Sequence, residues 1–532
     1  MSGSPAVCKF SEINDGEMRE VKVGETPVLL ARINGRCYAL AAHCTHYGAP
    51  LAEGALVGDR IICPWHHACF HAATGDMLEP PALDSLPSFP VSIEGDDIRI
   101  ALPADAPDRR EPTMAEPDAA AGTRVFVIVG GGAAGYIAAQ TLREDGFAGR
   151  VVIITREDRT PYDRPNLSKD YLQGHAEPEW MPLRPDDFYD RRGIEILRSK
   201  TVTSIDTAAR TITFDHGETL RYDALLLATG GTPRTLDLPG SELKNVFVLR
   251  SFDSADDIIA AAESAQTIAV IGASFIGMET AASLRQRGKS VTVIAPDRVP
   301  FEKVFGGEIG EMFRSVHESN GVEFRLGESV KGFTGSEQVE GVQLASGETV
   351  PAELVIVGVG VRPVTDFLDG FSLHKDGGVI ADEHLRIGPD IYAAGDIVHF
   401  PNERTGETTR IEHWRTAEQQ GRTAAHNMAG KPTEFDAVPF FWTTQFDATL
   451  NYVGHAKDWE EVIVDGDTAA RDFLAYYAKD GRVQAIAGMN RDRDLARLEE
   501  LMRLDQLPTP EQIKVGSSQN STSQPGSKVQ SS

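Results

Sequence analysis

Two glycine-rich turns, each set between an apolar run and a helical one, restrict this chain more than any other feature. Val125–Val129 leads into Gly130-Gly131-Gly132-Ala133-Ala134-Gly135 and then the helical stretch YIAAQTLRE. About 140 residues later, Thr267–Ile271 leads into Gly272-Ala273-Ser274-Phe275-Ile276-Gly277. A strand, a turn of small residues and a helix in that order let a backbone approach a pyrophosphate closely and aim a helix N-terminus at it. Ser274 replaces the middle glycine of the second turn, a small residue that still permits the approach. Two such units imply two dinucleotides, one tightly held and one exchangeable. An acidic residue about 20 positions beyond the first turn should accept ribose hydroxyls. Glu157, ending the run VVIITRE, is the candidate.

Two further strand ends support the same organisation. Leu225-Leu226-Leu227-Ala228-Thr229-Gly230 lies between the turns and marks where the chain leaves the first unit. Ile391-Tyr392-Ala393-Ala394-Gly395-Asp396 follows the second and ends on a carboxylate suited to a flavin ribityl hydroxyl. Either alone reads as an ordinary turn or strand stop; all four in this order do not. From Arg124 onward apolar runs alternate with helical stretches, the pattern of parallel sheets with crossover helices.

The N-terminal part differs. Short alternating segments (Thr26–Ile33, Val91–Leu102) separated by Asn34-Gly35, Gly58-Asp59 and Gly95-Asp96 read as a small antiparallel β domain over 1–103. All five cysteines lie in the first 69 residues, and the remaining 463 contain none. Clustered Cys with interleaved His points to a metal. Cys44-Thr45-His46 and Cys63-Pro64-Trp65-His66 each give one thiolate and one imidazole, with sixteen residues between them. A Cys2His2 zinc finger places both cysteines first, whereas a Cys-His pair on each loop matches an iron–sulfur centre in which two His replace two Cys on one iron. A structural zinc ribbon is the alternative. Cys8 and Cys37 read as small buried hydrophobes, and nothing assigns Cys69 a role.

Between these parts, 104–123 (ADAPDRREPTMAEPDAAAGT) reads as a semi-extended linker, able to span roughly 60 Å at about 3.3 Å per residue. The expected division then runs 124–240 and 352–433 for the first dinucleotide domain, 241–351 for the second, and 434–514 for a C-terminal α+β domain. Residues 515–532 are expected to be disordered. The formal charge of -27 leaves no basic footprint for nucleic acid. No apolar run reaches the roughly 18–20 residues of a membrane span. MSGSPAVCKFSEIND has neither the basic start nor the apolar core of a secretory signal, so a cytoplasmic location is expected.

Residues 1–103 resemble the Rieske domain family. The resemblance implies that Cys44 and Cys63 hold one iron of a [2Fe–2S] cluster and His46 and His66 the other. High-potential members carry an extra Cys after each ligand pair, where this chain has Ala49 and Trp65. Their Ser and Tyr donors to sulfur are replaced by Ala68 and Phe70, which implies a lower potential. His67 stands where Gly is common; spacing favours His66 as ligand and His67 as neighbour.

PYDRPNLSKDYL (161–172), EHWRTAEQQGRTAAHNM (412–428) and PFFWTTQFDATLNYVGHA (439–456) resemble the flavoprotein reductases with two dinucleotide sites, namely bacterial ferredoxin reductases and apoptosis-inducing-factor-like proteins. The implied fold is an all-β Rieske domain, two α/β Rossmann-like domains for FAD and NAD(P)H, and an α+β C-terminal domain. The fingerprint glycines (Gly130, Gly132, Gly135; Gly272, Gly277), Thr229 and Gly230 would line the dinucleotide sites. By the same resemblance Arg164 and Lys169 contact FAD, Lys169 pairs with Glu279 beside the flavin, and Asp396 holds the ribityl chain. Glu412, His413 and Trp414 lie near the ring or the nicotinamide, and Trp442 covers a flavin face. In the family an acid often sits one position before Glu157, where this chain has Arg156. With no cysteine after residue 69, electrons must leave the flavin without a thiol relay.

The expected path runs from NAD(P)H through FAD to the cluster and on to an unknown protein or small-molecule acceptor, an oxygenase component being one option. The alternative is a redox sensor or scaffold with slow NADH oxidation. NADH is expected over NADPH because the family favours it. Ala295 occupies the strand-end position that normally carries a ribose-gripping carboxylate, Asp297 follows two residues on, and Arg298 is placed to meet a 2′-phosphate.

Overall fold

The computed structural model describes residues 6–118, 123–402 and 404–521. In the N-terminal part, Asn34 and Gly35 adopt positive φ (49° and 72°), the mirror-image turn that matches strand twist, and join strands Thr26–Ile33 and Arg36–Ala41. These strands, with Met18–Val23 and Ser88–Phe89, form one four-stranded sheet. A second contains Ala55–Val57, Arg60–Ile62, Cys69–His71 and Met77–Glu79. The Cys63–His66 loop joins two neighbouring strands of that sheet, and the Cys44–His46 loop follows Arg36–Ala41, so both loops meet at one end of the domain. Cys8 and Cys37 are half-buried rather than fully buried, since both sit at the rim of the small N-terminal core.

The reductase body is built on two parallel sheets. The first runs Ile194–Leu197, Arg150–Ile154, Val125–Val129, Ala224–Leu227, Ile391–Ala393, with Arg386–Gly388 antiparallel at one edge. The second runs Val246–Phe247, Leu354–Val357, Thr267–Ile271, Ser290–Ala295, Glu323–Leu326. Strand Leu354–Val357 therefore belongs to the second sheet, and the boundary expected at 351/352 falls one strand too early. Its four residues are all buried, so the apolar run marks a central strand without indicating which sheet it joins. The C-terminal domain is a five-stranded antiparallel sheet between Phe440 and Met489, followed by helices Asp492–Arg503 and Pro510–Ser521.

That last helix corrects the expected disordered tail over 515–521; 522–532 lie outside the described residues. Thr509-Pro510-Glu511-Gln512 is a helix start. The Thr509 N–H donates to Gln512 Oε1 (2.8 Å), the Gln512 N–H returns to Thr509 Oγ1 (3.4 Å), and Pro510 fills the first helical position. The linker also departs from expectation over 104–118. Ser85 and Arg110 exchange two backbone hydrogen bonds, Met114 is buried in the first dinucleotide domain, and the Ala115 N–H donates to Arg143 O (2.8 Å). The segment is laid along both domains and its full reach is not used.

Buried charge fixes the Rieske-like domain to the body. The Arg415 side chain is 1% exposed; it donates to Glu499 Oε1 (2.6 Å), Glu79 Oε2 (3.1 Å), Pro80 O (2.8 Å) and His67 O (2.9 Å). Arg184 reaches Asp84 Oδ1 (2.8 Å) at a second point. Removing one partner of such a cluster leaves buried charges uncompensated, at a cost of about 3–5 kcal/mol. Arg415→Met is therefore expected to lower stability by about that amount in urea unfolding and to enlarge the particle in small-angle scattering. A variant as stable and as compact as the parent would show that the cluster does not hold the domains together.

Candidate electron-transfer site

The two Cys–His loops converge. Cys44 and Cys63 lie close enough to shift one another's pKa, and the Nδ1 atoms of His46 and His66 lie 3.0 Å apart. Among the described residues, no three of these four ligand atoms fall within 4.8 Å of one another. A tetrahedral zinc would hold all four roughly 3.3–3.8 Å apart. One sulfur pair and one nitrogen pair, held separately, fit a two-iron centre instead. Burial pushes the His46 pKa down to about 3 and that of His66 well below its usual value, so both imidazoles are neutral and free to ligate. At Cys63 burial opposes the thiolate. The Cys44 thiol and the backbone N–H groups of His66 and Trp65 outweigh it and draw the pKa down.

His67 turns the other way. Its φ of 57° lies in the left-handed region that favours Gly, its Nδ1 meets Glu499, and its ring stacks on Phe440 at 4.1 Å. The residue that departs from the family pattern thus belongs to the domain interface.

Behind the loops lies a cavity of about 840 Å³ that runs between the two parallel sheets. A Cβ on Gly130 would sit 2.0 Å from Ala228 O and one on Gly135 1.9 Å from Gly130 O, whereas one on Gly132 would meet nothing within 4 Å. The outer glycines allow close packing of strand and helix, and the middle one leaves room for a ligand, as a pyrophosphate at helix Ala133–Glu144 requires. Gly272 and Gly277 repeat the tight contacts at 2.3 and 2.1 Å.

Glu157, Arg164, Thr229, Gly230, Asp396 and Glu412 all line this cavity. Glu157 accepts from Tyr162 Oη (2.6 Å) and Arg164 (2.9 Å). Burial raises its pKa, and the Arg164 charge overrides that and lowers it. Asp396 accepts from Arg250 (3.0 Å), and Arg410 donates to Asp396 O and to Glu412 Oε1, both at 2.7 Å. His413 and Trp414 also line the wall; burial takes the His413 pKa down to about 3 and leaves its Nδ1 without a protein partner. An orphaned neutral imidazole on an elongated, glycine-floored cavity fits a bound flavin dinucleotide.

Lys169 and Glu279 meet in the same wall at 2.8 Å, with the Lys169 side chain 16% exposed and that of Glu279 4%. Ser168 and Thr443 donate to the two Glu279 oxygens, Thr443 at 2.7 Å. Neither partner was legible in the sequence beyond its nearness to Lys169 and Trp442. Trp442 also lines the cavity, and its ring packs on His66 with ring centroids 4.3 Å apart. One indole thus touches both His66 and the cavity wall.

Elsewhere, His374, Asp376 and His399 are the one group among the described residues whose potential ligand atoms all lie within 4.8 Å of one another. The Arg410 guanidinium, 2.8 Å from Asp376 Oδ2, occupies the place a cation would take. No helix among the described residues is long and apolar enough to cross a membrane.

Comparison with known proteins agrees with this architecture. Residues 4–90 match the Rieske [2Fe-2S] domain, 124–421 the pyridine nucleotide-disulphide oxidoreductases, and 440–518 the reductase C-terminal domain. Apoptosis-inducing factor 3 of Homo sapiens is 38% identical over 508 residues, covering 93% of this chain and 83% of its own. The 5,5'-dehydrodivanillate O-demethylase ferredoxin reductase subunit of Sphingobium sp. is 39% identical over 69% of this chain and 90% of its own. Among solved structures, the covalent putidaredoxin reductase-putidaredoxin complex superposes with a TM-score of 0.71 at 31% identity, over 74% of this chain and 96% of that one. FAD, NAD(P)H and a Rieske [2Fe–2S] cluster are the cofactors of such an assembly. The chain belongs to the pyridine nucleotide-disulphide oxidoreductase family, as a ferredoxin-reductase-like NAD(P)H oxidoreductase that carries its own Rieske domain.

Proposed function

We propose that the chain carries electrons from NAD(P)H through FAD to its own cluster and on to an acceptor outside the chain. The observation that carries this reading is the indole of Trp442, which touches both His66 and the cavity wall. FAD supplies the chemistry that takes a hydride as an electron pair and yields electrons singly, joining a nicotinamide to a one-electron cluster. The chain's residues provide the placement. Cys44, Cys63, His46 and His66 would hold the irons, and Asp396, fixed by Arg250, would accept from the ribityl chain. Glu157 and Arg164 serve the adenosine end. Lys169, oriented by Glu279, supplies positive charge where negative charge develops. A fused cluster would serve in place of a separate partner such as the one in the solved putidaredoxin reductase-putidaredoxin complex. The names of relatives that serve an O-demethylase and a chlorobenzene dioxygenase support an oxygenase as acceptor.

The corner beyond Ala295 supports NADH. Arg298 is engaged by Glu302 through its backbone N–H (3.0 Å) and its Nε (2.8 Å), and Lys303 pairs with Asp297 at 2.8 Å. A 2′-phosphate arriving there meets a guanidinium already neutralised by a carboxylate. With ferricyanide as acceptor, kcat/KM should favour NADH, and Glu302→Gln should shift the NADPH:NADH ratio upward by about two- to fivefold, the scale of one solvent-screened ion pair. A ratio unchanged by the substitution would remove this corner from nucleotide selection.

The whole reading is tested by anaerobic NADH titration with flavin and cluster spectra followed together. Reduction of both cofactors is expected; a cluster that stays oxidised while the flavin is bleached would contradict the path.

A further inference from the structure

Among the described residues, three large aromatic side chains stand exposed: Tyr47 (48%), Trp65 (41%) and Trp180 (69%). Their placement is not scattered. The Tyr47 ring stacks on His46 at 4.0 Å and lies 5.7 Å from His66, and the Trp65 ring lies 6.5 Å from His66. The Tyr47 hydroxyl meets Asp163, whose N–H donates to the carbonyl of Met181 (2.8 Å), the residue after Trp180. The exposed aromatics thus border the two imidazoles of the proposed cluster and continue onto the reductase body across the domain interface.

Exposed charge carried by the segment itself is acidic, and one cation from another helix, Arg287, adjoins it at Leu172 O and Gly174. The segment 163–180 contributes exposed Asp170, Glu177 and Glu179. Its Arg164 and Lys169 both line the cavity and pair with Glu157 and Glu279. A net charge of -27 adds a long-range field of the same sign. The inner side of His66 is closed by Trp442, and the ion pairs of Arg415 and Arg184 hold the domain there. An acceptor therefore has to approach from the outer edge without displacing the domain.

We propose that this edge, Tyr47 and Trp65 with Trp180 and the acidic rim Asp170, Glu177 and Glu179, docks a one-electron carrier protein with an apolar centre ringed by basic residues. The proposal rests on the electron path argued above. In the step itself the reduced cluster loses one electron and the carrier's metal gains one, with no proton or group transferred. Aromatic residues at the centre and opposite charge at the rim are the features that give such encounters affinity and rate.

Cytochrome c, a basic one-electron carrier, serves as the probe. Its binding to the oxidised holoprotein is measured by calorimetric titration, and its reduction with NADH by steady-state kinetics. Trp65→Ala and the double variant Glu177→Lys/Glu179→Lys should each raise Kd and lower kcat/KM about tenfold or more. Anaerobic reduction of the cluster by NADH in the double variant should keep the parent rate. If Trp65→Ala loses the cluster, its Kd still reads the surface. Unchanged binding in the double variant overturns the docking surface alone. A parent cluster that NADH does not reduce overturns the electron path, so the two failures are distinguishable.

Discussion

Replacement of His66 by Ala removes the cluster and, with it, electron delivery beyond the flavin, whereas His67→Gly leaves the cluster in place. His66 Nδ1 stands 3.0 Å from its counterpart on His46, beside a buried thiol pair. No other imidazole stands ready to replace it, because His67 is committed to Glu499 and Phe440. Gly also relieves the left-handed backbone at 67. Loss of a direct ligand should exceed the roughly 10–100-fold that loss of an outer partner costs in metal affinity. Iron and sulfide analysis with electron paramagnetic resonance of the reduced protein decides it. The parent should show the low average g value of mixed Cys/His ligation. Stoichiometric zinc without iron, or a full cluster in His66→Ala, would refute the assignment.

Lys169→Ala should slow flavin reduction by NADH by roughly ten- to a thousandfold, the effect of deleting one stabiliser of developing charge. The ammonium is held by Glu279 Oε2 (2.8 Å) and Pro165 O (3.2 Å), and Glu279 is itself held by Ser168 and Thr443. Four groups from three distant segments thus fix one positive charge on the cavity wall, an arrangement expected of electrostatic preorganisation. FAD should remain bound, since the glycine turn and Asp396 are untouched. Stopped-flow reduction at saturating NADH is the measurement; a parent-like rate with full flavin content would remove Lys169 from the hydride step.

What the sequence revealed was local. Each glycine turn carries its strand, tight turn and helix start within about fifteen residues, and each Cys-His pair sits on one loop. The interface was not legible, because Glu79, Arg415 and Glu499 each read as ordinary surface charges until the fold gathers them. His67 was noted only as a departure from Gly; its role needed Glu499, 432 positions away. Strand Leu354–Val357 was recognisable as a buried strand, but hydrogen-bond partners across long range decide its sheet. The helix after Pro510 starts at Thr509-Pro510-Glu511-Gln512, a local signal just ahead of the polar segment whose composition alone set the expectation of disorder. The linker failed for a related reason. Its composition was read alone, and composition does not register that Met114 and two backbone hydrogen bonds with Ser85 dock part of that segment onto its neighbours.

The central claim is that a fixed Rieske domain receives electrons from the flavin of its own chain, and a single-turnover measurement tests it directly. Protein is mixed anaerobically with NADH, and flavin bleaching and cluster reduction are recorded at a series of protein concentrations. The docked arrangement, with Trp442 touching both His66 and the cavity wall, predicts that the cluster is reduced after the flavin at a rate independent of protein concentration. A rate that rises in proportion to protein concentration would mean that electrons pass between molecules, and would contradict the account.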